Sequence, residues 1–265
     1  YLPVDENGLV SRKQVEDAIS ENTVLVALMW ANNVIGSIQP LAEIAESVRS
    51  RGIRFLTDAT QAVGKVSVSV EHFDFLTCSA HKFYGPKGVG ALWVRPGVRI
   101  PPLLHGGSQE DGLRSGTLNV PGIVGIGAAA SVARGRLDED HTRLSALRDR
   151  MQTELLASID GLRVNAAGAG RLPQTMSLTV PDVKAGNLLT ELRSLALSAG
   201  SACSSGSGKP SRVLKAIGLS DSEALATIRF SLGRFTTAEQ VDTATSMVAA
   251  AYRKVRTTVP SASQA

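Results

Sequence analysis

Two kinds of apolar pattern follow one another along the first half of the chain. "TVLVALMW" (23–30) is a continuous apolar run of strand length, the pattern of a strand covered on both faces of a parallel sheet. In "PLAEIAESVRSRG" the apolar residues Leu41, Ile44, Ala45 and Val48 recur at helical spacing, with Pro40 suited to a first turn and Gly52 to a stop. "IRFLTDAT" is a second strand, and strand, helix and strand within about thirty-five residues make a βαβ unit, which implies a parallel pair. "FDFLTCSAHK" predicts a third strand, and "GVGALWVRP" (88–96) its antiparallel return.

The pattern changes in "ARGRLDEDHTRLSALRDRMQTELLASI", which is charged and then helical. A domain junction is expected near Leu137, dividing the chain into residues 1–136 and 137–265. The second part carries short strands, "MSLTV", "LALSAG" and "IRFSLG", between helices such as "GNLLTELRSL" and "EQVDTATSMVAAAYRKV", and the tail "TTVPSASQA" reads as frayed. The class is α/β, with no internal repeat and no low-complexity tract.

Composition narrows the function classes. Of 265 residues 43% are apolar and 20% charged, ordinary for a globular protein, and the net charge of +4 is thinly spread. No run of like charge interleaves with aromatics, so nucleic acid is not an expected partner. No stretch approaches the roughly 18 apolar residues of a membrane span, and the first residues lack a secretory pattern. The two cysteines, Cys78 and Cys203, match no zinc spacing or disulfide framework, and a reducing cytoplasm is the simplest compartment.

Ligands of open α/β sheets sit beyond the carboxyl ends of the strands. Those ends carry Asn32 and Asn33, then Asp58 and Gln61, then Ser79, His81 and Lys82. A partly desolvated lysine there can lose its proton and act as a nucleophilic amine. A carboxylate nearby can hold a protonated ring nitrogen, and a hydroxyl and an imidazole can bind phosphate. Together these meet the needs of pyridoxal phosphate: a Schiff-base lysine and an acidic partner for the pyridinium.

Two further stretches stand out. "SAGSACSSGSGKPS" (198–211) surrounds Cys203 with small residues on an expected exposed loop, where a thiol is available for chemistry, whereas Cys78 reads as core filler. "GSGKPS" is not a phosphate-binding P-loop, because the first glycine is missing and Pro210 stands where Ser or Thr is required. "HGGSQEDGLRSGTLN" (105–119) offers glycines for close approach, with Arg114, Ser115 and Thr117 as natural phosphate contacts.

In order and spacing, "ANNVIGSIQP", "TDATQAVGK", "SAHKFYGPKGVGALWVR", "LRSGT", "SAGSACSSGS" and "IRFSLGRFTT" resemble the cysteine desulfurases of the NifS/IscS-like group, pyridoxal-phosphate enzymes of the aspartate aminotransferase fold (fold type I). The resemblance implies a partial large domain followed by a small α+β domain. It implies Lys82 as the Schiff-base lysine, Asp58 on the pyridinium nitrogen, Gln61 on the ring's phenolic oxygen, and Asn33 near that oxygen and the substrate carboxylate. Ser79 and His81 would bind the phosphate, and Thr117 would reach the phosphate of a neighbouring subunit in a homodimer. Arg229 would grip the carboxylate of L-cysteine, and Cys203 would take its sulfur as a persulfide for an acceptor or iron–sulfur scaffold protein. No resident metal is implied, although Cys203 would be able to share a cluster with such a scaffold.

The pattern departs from the family in places. The family's N-terminal segment, with a Gly/Ala-Thr turn on the phosphate and a histidine stacked on the ring, has no counterpart, so a truncated or split gene product or a partial chain is expected, with an exposed sheet edge. Val34, Ser108 and Asp111 also differ from the usual residues. The competing readings are a selenocysteine lyase or another pyridoxal-phosphate lyase or aminotransferase, and a non-enzymatic remnant that binds a sulfur-acceptor scaffold.

Overall fold

The computed structural model describes residues 1–199 and 209–258. Its contacts group the chain into two units. One comprises Arg12–Trp30 and Pro40–Leu137; the other combines Tyr1–Ser11 and Ala31–Gln39 with the chain from Asp138 onward. The sequence pattern suggests a single cut after residue 136, whereas the second unit also recruits these two early stretches. Apolar burial is the reason: Val34 and Ile35 pack with Ala166, Leu214, Ile217 and Ala224.

The first unit contains α1 (Arg12–Ala18), β1 (Leu25–Met29), α2 (Leu41–Ser50), β2 (Arg54–Asp58), β3 (Phe75–Ser79), β4 (Gly90–Val94) and α3 (Val120–Gly135). Its sheet runs β1-β2-β3-β4; β1, β2 and β3 are parallel and β4 returns antiparallel. The helical stripe of α2 is buried at Leu41, Ile44, Ala45 and Val48. Phe73 stacks against Phe55 and Trp30, with ring centroids 5.1 and 5.4 Å away. Beside them the Asp74 carboxylate accepts hydrogen bonds from the Phe55 amide and the Arg54 guanidinium, each at 2.9 Å, which pins the start of β2 to the entry of β3.

One expectation needs correction here, and one element is added. The strand in "TVLVALMW" is not covered on both faces: Leu25, Ala27 and Met29 are exposed, because β1 borders the sheet and one of its faces has no layer over it among the described residues. Residues 120–135, to which the sequence pattern assigns nothing, form a helix. Asn119 caps it by accepting from the Gly122 amide at 3.2 Å, and a proline stands in its first turn.

The second unit contains α4 (Leu137–Ser158), β5 (Arg163–Val164), β6 (Thr175–Thr179), α5 (Ala185–Glu191), β7 (Ser198–Ala199), α6 (Arg212–Ala216), α7 (Asp221–Leu225), β8 (Thr227–Ser231) and α8 (Ala238–Thr258). The antiparallel sheet has the order β5-β6-β8-β7. Of "LALSAG" only Ser198 and Ala199 pair. One face is apolar: Met176, Leu178, Ile228 and Phe230 pack with Met151 and Leu155 of α4, Leu188 of α5, and Val248 and Tyr252 of α8. The opposite face is lined with hydroxyls. Thr179 bridges Asn165 at 3.1 Å and Thr227 at 2.9 Å, and Asn165 also donates to Ser177 at 3.1 Å, so these buried polar groups satisfy one another. Among the described residues no helix is long and apolar enough to cross a membrane.

A buried ion pair ties the start of α4 to the turn after β8. The Arg234 guanidinium lies 2.6 Å from the Asp140 carboxylate, with side chains only 9% and 7% exposed. Removing one member leaves a buried charge without its partner, which costs about 3–5 kcal/mol, whereas replacing both by apolar residues of similar size is often near neutral. Asp140→Ala should therefore lower the urea-unfolding free energy by an amount in that range, and Asp140→Leu combined with Arg234→Met by clearly less. Equal losses in urea titrations of the two proteins would refute this account.

Candidate active site

The parallel register decides which residues share an edge. Met29 is level with Asp58, and Asp58 with Thr77, so the carboxyl ends of β1, β2 and β3 lie along one rim of the sheet. Asp58 closes β2 and is exposed; its Oδ1 accepts from the Thr60 amide at 2.9 Å in an Asx turn. The Ala59 amide meanwhile donates to the Thr77 carbonyl at 2.9 Å. Ala59 and Ala62 are fully buried against Leu76, Trp30 and Trp93, which leaves Gln61, between them, half-buried at the rim.

The lysine is placed by a turn rather than by a strand. β3 ends at Ser79, and Ala80–Phe83 form one turn of 3-10 helix, shorter in strand than "FDFLTCSAHK" suggests. Ala80 and Phe83 are buried under Ala133 of α3, and the two residues between them, His81 and Lys82, are consequently exposed. The turn closes through the Gly85 amide on the Ala80 carbonyl at 2.9 Å, after Tyr84 has taken a left-handed conformation at φ 72°. A Cβ on Gly85 would lie 2.8 Å from Ala80 Cβ, and one on Gly64 only 3.0 Å from Phe83 Cβ, so both positions demand glycine. Across the ladder Ser79 faces Gly90, where a Cβ would stand 2.6 Å from the Cys78 carbonyl oxygen. The expectation of a partly desolvated Lys82 is not met: the outward turn leaves it exposed, and nothing in this unit covers it among the described residues.

Cys78 is half-buried on β3, and burial, followed by the negative charge of Asp58, pushes its thiol above the ordinary cysteine value despite a hydrogen bond with the Ala91 backbone. Thr117 is exposed on the glycine-rich loop. There Glu110 and Asp111 are both left-handed, at φ 52° and 54°, the Gly116 amide donates to Gln109 at 3.2 Å, and Arg114 donates to the Ser115 carbonyl at 2.9 Å.

In the second unit two other predicted residues meet. Arg229 stands at the middle of β8, level with Ser177 on β6 and Ser198 on β7. Its Nη1 donates to the backbone carbonyl of Asn33 at 2.7 Å. Asn33 is exposed at the tip of a turn built by its neighbour Asn32. Cys203 and most of its glycine–serine stretch lie outside the described residues, as does most of the tail. No cluster of three or more His, Cys, Asp or Glu arranged for a metal ion occurs among the described residues.

Beyond the residues expected from the sequence, the structure adds Gly64 and Gly85, which shape the turn carrying His81 and Lys82, and it gives Asn32, already a candidate, the part of closing the turn that exposes Asn33. The signal for Asn32 is present in "NNVIG", an Asn followed four residues later by a glycine, the spacing of a side-chain-closed turn. As a donor set, the rim of the first unit fits pyridoxal phosphate: an exposed amine for an aldehyde, a carboxylate for a protonated ring nitrogen, and a hydroxyl and imidazole for a phosphate.

Comparison with known proteins agrees with this chemistry. The class-V aminotransferase family profile matches residues 1–243. Cysteine desulfurase IscS of Pseudomonas entomophila is 44% identical over 264 residues, covering 98% of this chain but 65% of that protein, so the chain spans somewhat under two thirds of its length. Among solved structures, a NifS-like protein superposes with a TM-score of 0.85 at 36% identity, over 94% of this chain and 67% of the other. SspA, solved in complex with cysteine, gives a TM-score of 0.73 at 36% identity, over 89% and 67%. With that profile spanning most of its length and the NifS-like fold beneath it, the chain belongs to the class-V aminotransferase family.

Proposed function

We propose that this chain is the greater part of a cysteine desulfurase, an enzyme that converts L-cysteine to L-alanine and leaves the sulfur on Cys203 as a persulfide. The observation that carries the reading is the rim of the first unit, where β2 presents Asp58 and the turn after β3 presents His81 and Lys82. The likeness to IscS, and to a relative solved with cysteine bound, supports cysteine as the substrate.

Pyridoxal phosphate, when bound, supplies an electron sink for the substrate's α-carbon. Lys82 would hold it through the side-chain amine, with Asp58 at its ring nitrogen and Gln61 at its phenolic oxygen. Ser79 and His81 would take the phosphate, with Thr117 reaching the phosphate of the second subunit of a homodimer. Arg229 and Asn33 bind the substrate carboxylate, an anion suited to a guanidinium fork. Freed of other bonds, the Lys82 amine moves the proton at the substrate's α-carbon. The Cys203 thiolate attacks the substrate sulfur; the new S–S bond forms as the carbon–sulfur bond breaks, and L-cysteine plus thiol becomes L-alanine plus persulfide. An acceptor thiol or an iron–sulfur scaffold protein then collects the sulfur. This chemistry requires reduced thiols, which supports a reducing compartment such as the cytoplasm.

Of the two thiols, Cys78 is the poor nucleophile, because its raised pKa leaves little thiolate at neutral pH. Iodoacetamide at pH 7 should label Cys203 well ahead of Cys78, and Cys78 should catch up only as the pH rises above the ordinary thiol range. Peptide mass spectrometry would refute the assignment if Cys78 were labelled first. Adding pyridoxal phosphate to the purified chain should produce a visible absorption band that Lys82→Ala abolishes; a band persisting in the variant, or none in the parent, counts against the proposed cofactor site. Cys203→Ser should keep that band yet lose alanine release from L-cysteine, without added thiol, by about a hundredfold or more. Full alanine release in that variant would fit a lyase or an aminotransferase instead.

A further inference from the structure

We infer that Asn32 is a positioning residue that sets the direction in which Arg229 presents its guanidinium to the substrate carboxylate; this rests on the reading of Arg229 given above. Arg229 is a long side chain on a central strand, level with Ser177 and Ser198 on the strands beside it. The Asn33 carbonyl fixes it, 2.7 Å from Nη1. A carbonyl suits this task better than a carboxylate. It orients the guanidinium without bringing a negative charge of its own, whereas Asp or Glu in that place would compete with the substrate.

The direction of the Asn33 carbonyl is in turn set by Asn32. The Asn32 Oδ1 accepts from the Val34 amide at 2.8 Å and the Ile35 amide at 3.2 Å. Its main chain closes the same turn twice more, with the carbonyl accepting from Gly36 at 3.0 Å and the amide donating to Ser37 at 2.9 Å. Asn32 is buried at 8% exposure, and Val34 and Ile35 are buried beside it, so their amides have little access to solvent. Gly36, at φ 80°, lets the turn sit on Thr175, where a Cβ would lie 3.0 Å from the threonine Cβ. The turn is therefore anchored on both sides of Asn33, and the only exposed residue from 31 to 37 is the one that holds Arg229. Without the Asn32 side chain two buried amides lose their acceptor, and the peptide between Asn33 and Val34 is free to rotate.

The test uses the full chain in two measurements. With 15N-labelled arginine, and the Arg229 signal assigned through Arg229→Lys, NMR reports rotation of the Arg229 guanidinium. Asn32→Ala should speed it severalfold, and Asn32→Ser, which retains one acceptor oxygen and guards against a misfolded alanine variant, should fall between. In steady-state kinetics Asn32→Ala should raise KM for L-cysteine about tenfold, change kcat by about threefold at most, and add nothing to KM in the Arg229→Lys background. Unchanged guanidinium rotation in both Asn32 variants overturns the inference, and so does a loss confined to kcat. If the parent chain releases no alanine from L-cysteine, the desulfurase reading fails on its own, and the rotation measurement by itself decides the role of Asn32.

Discussion

The Gly85 amide donates to the Ala80 carbonyl across a turn that has no room for a Cβ. That contact ends β3, and with Phe83 anchored beneath α3 it fixes where the chain can place two exposed residues in succession. A strand would have sent His81 and Lys82 to opposite faces of the sheet. The 3-10 turn puts both at the rim, beside the end of the strand that carries Asp58. The left-handed Tyr84 costs about 1–2 kcal/mol of backbone strain, offset by the burial of Phe83 and Ala80.

The second unit solves a related problem with different means. Its sheet is apolar on one face only, and its other face carries hydroxyls that pair largely with one another. A polar turn bearing two asparagines suits this face, since it brings its own donors and acceptors and closes most of its hydrogen bonds internally. Arg229 emerges among these hydroxyls, on the strand whose alternate residues, Ile228 and Phe230, belong to the core. The alternation of β8 thus couples the stability of the small sheet to the placement of one charged group.

Much of this architecture was legible in the sequence where a pattern had a single physical cause. The βαβ unit follows from apolar runs flanking the stripe of α2, and the catalytic candidates follow from asking what stands at strand ends. Elsewhere two causes gave one pattern. In "SAHKF" the alanine and phenylalanine continue an apolar rhythm, yet they are buried by a turn, so the strand reads too long. Leu25 and Met29 resemble residues of a central strand, but they lie on a border strand with one open face. Helix α3 was hidden because glycine and alanine give it no apolar stripe; its capping Asn119 and early proline were the available signal. The partnership of Arg229 with Asn33 could not be read from residues so far apart in the chain, because it depends on a backbone carbonyl, which every residue has.

The grouping of the chain has a consequence for how it can be divided. Counting from Tyr1, the backbone passes between the two units four times, after Ser11, Trp30, Gln39 and Leu137. The small antiparallel sheet is therefore not a module that can be excised at one boundary. A fragment starting at Asp138 would carry Arg229 but not Asn33, and Leu214 and Ile217 without Val34 and Ile35. The nine residues Ala31–Gln39, encoded between β1 and α2, supply the carbonyl that holds the Arg229 guanidinium and the apolar partners of Leu214 and Ile217, so recombination at the apparent junction would separate Arg229 from the segment it is bonded to.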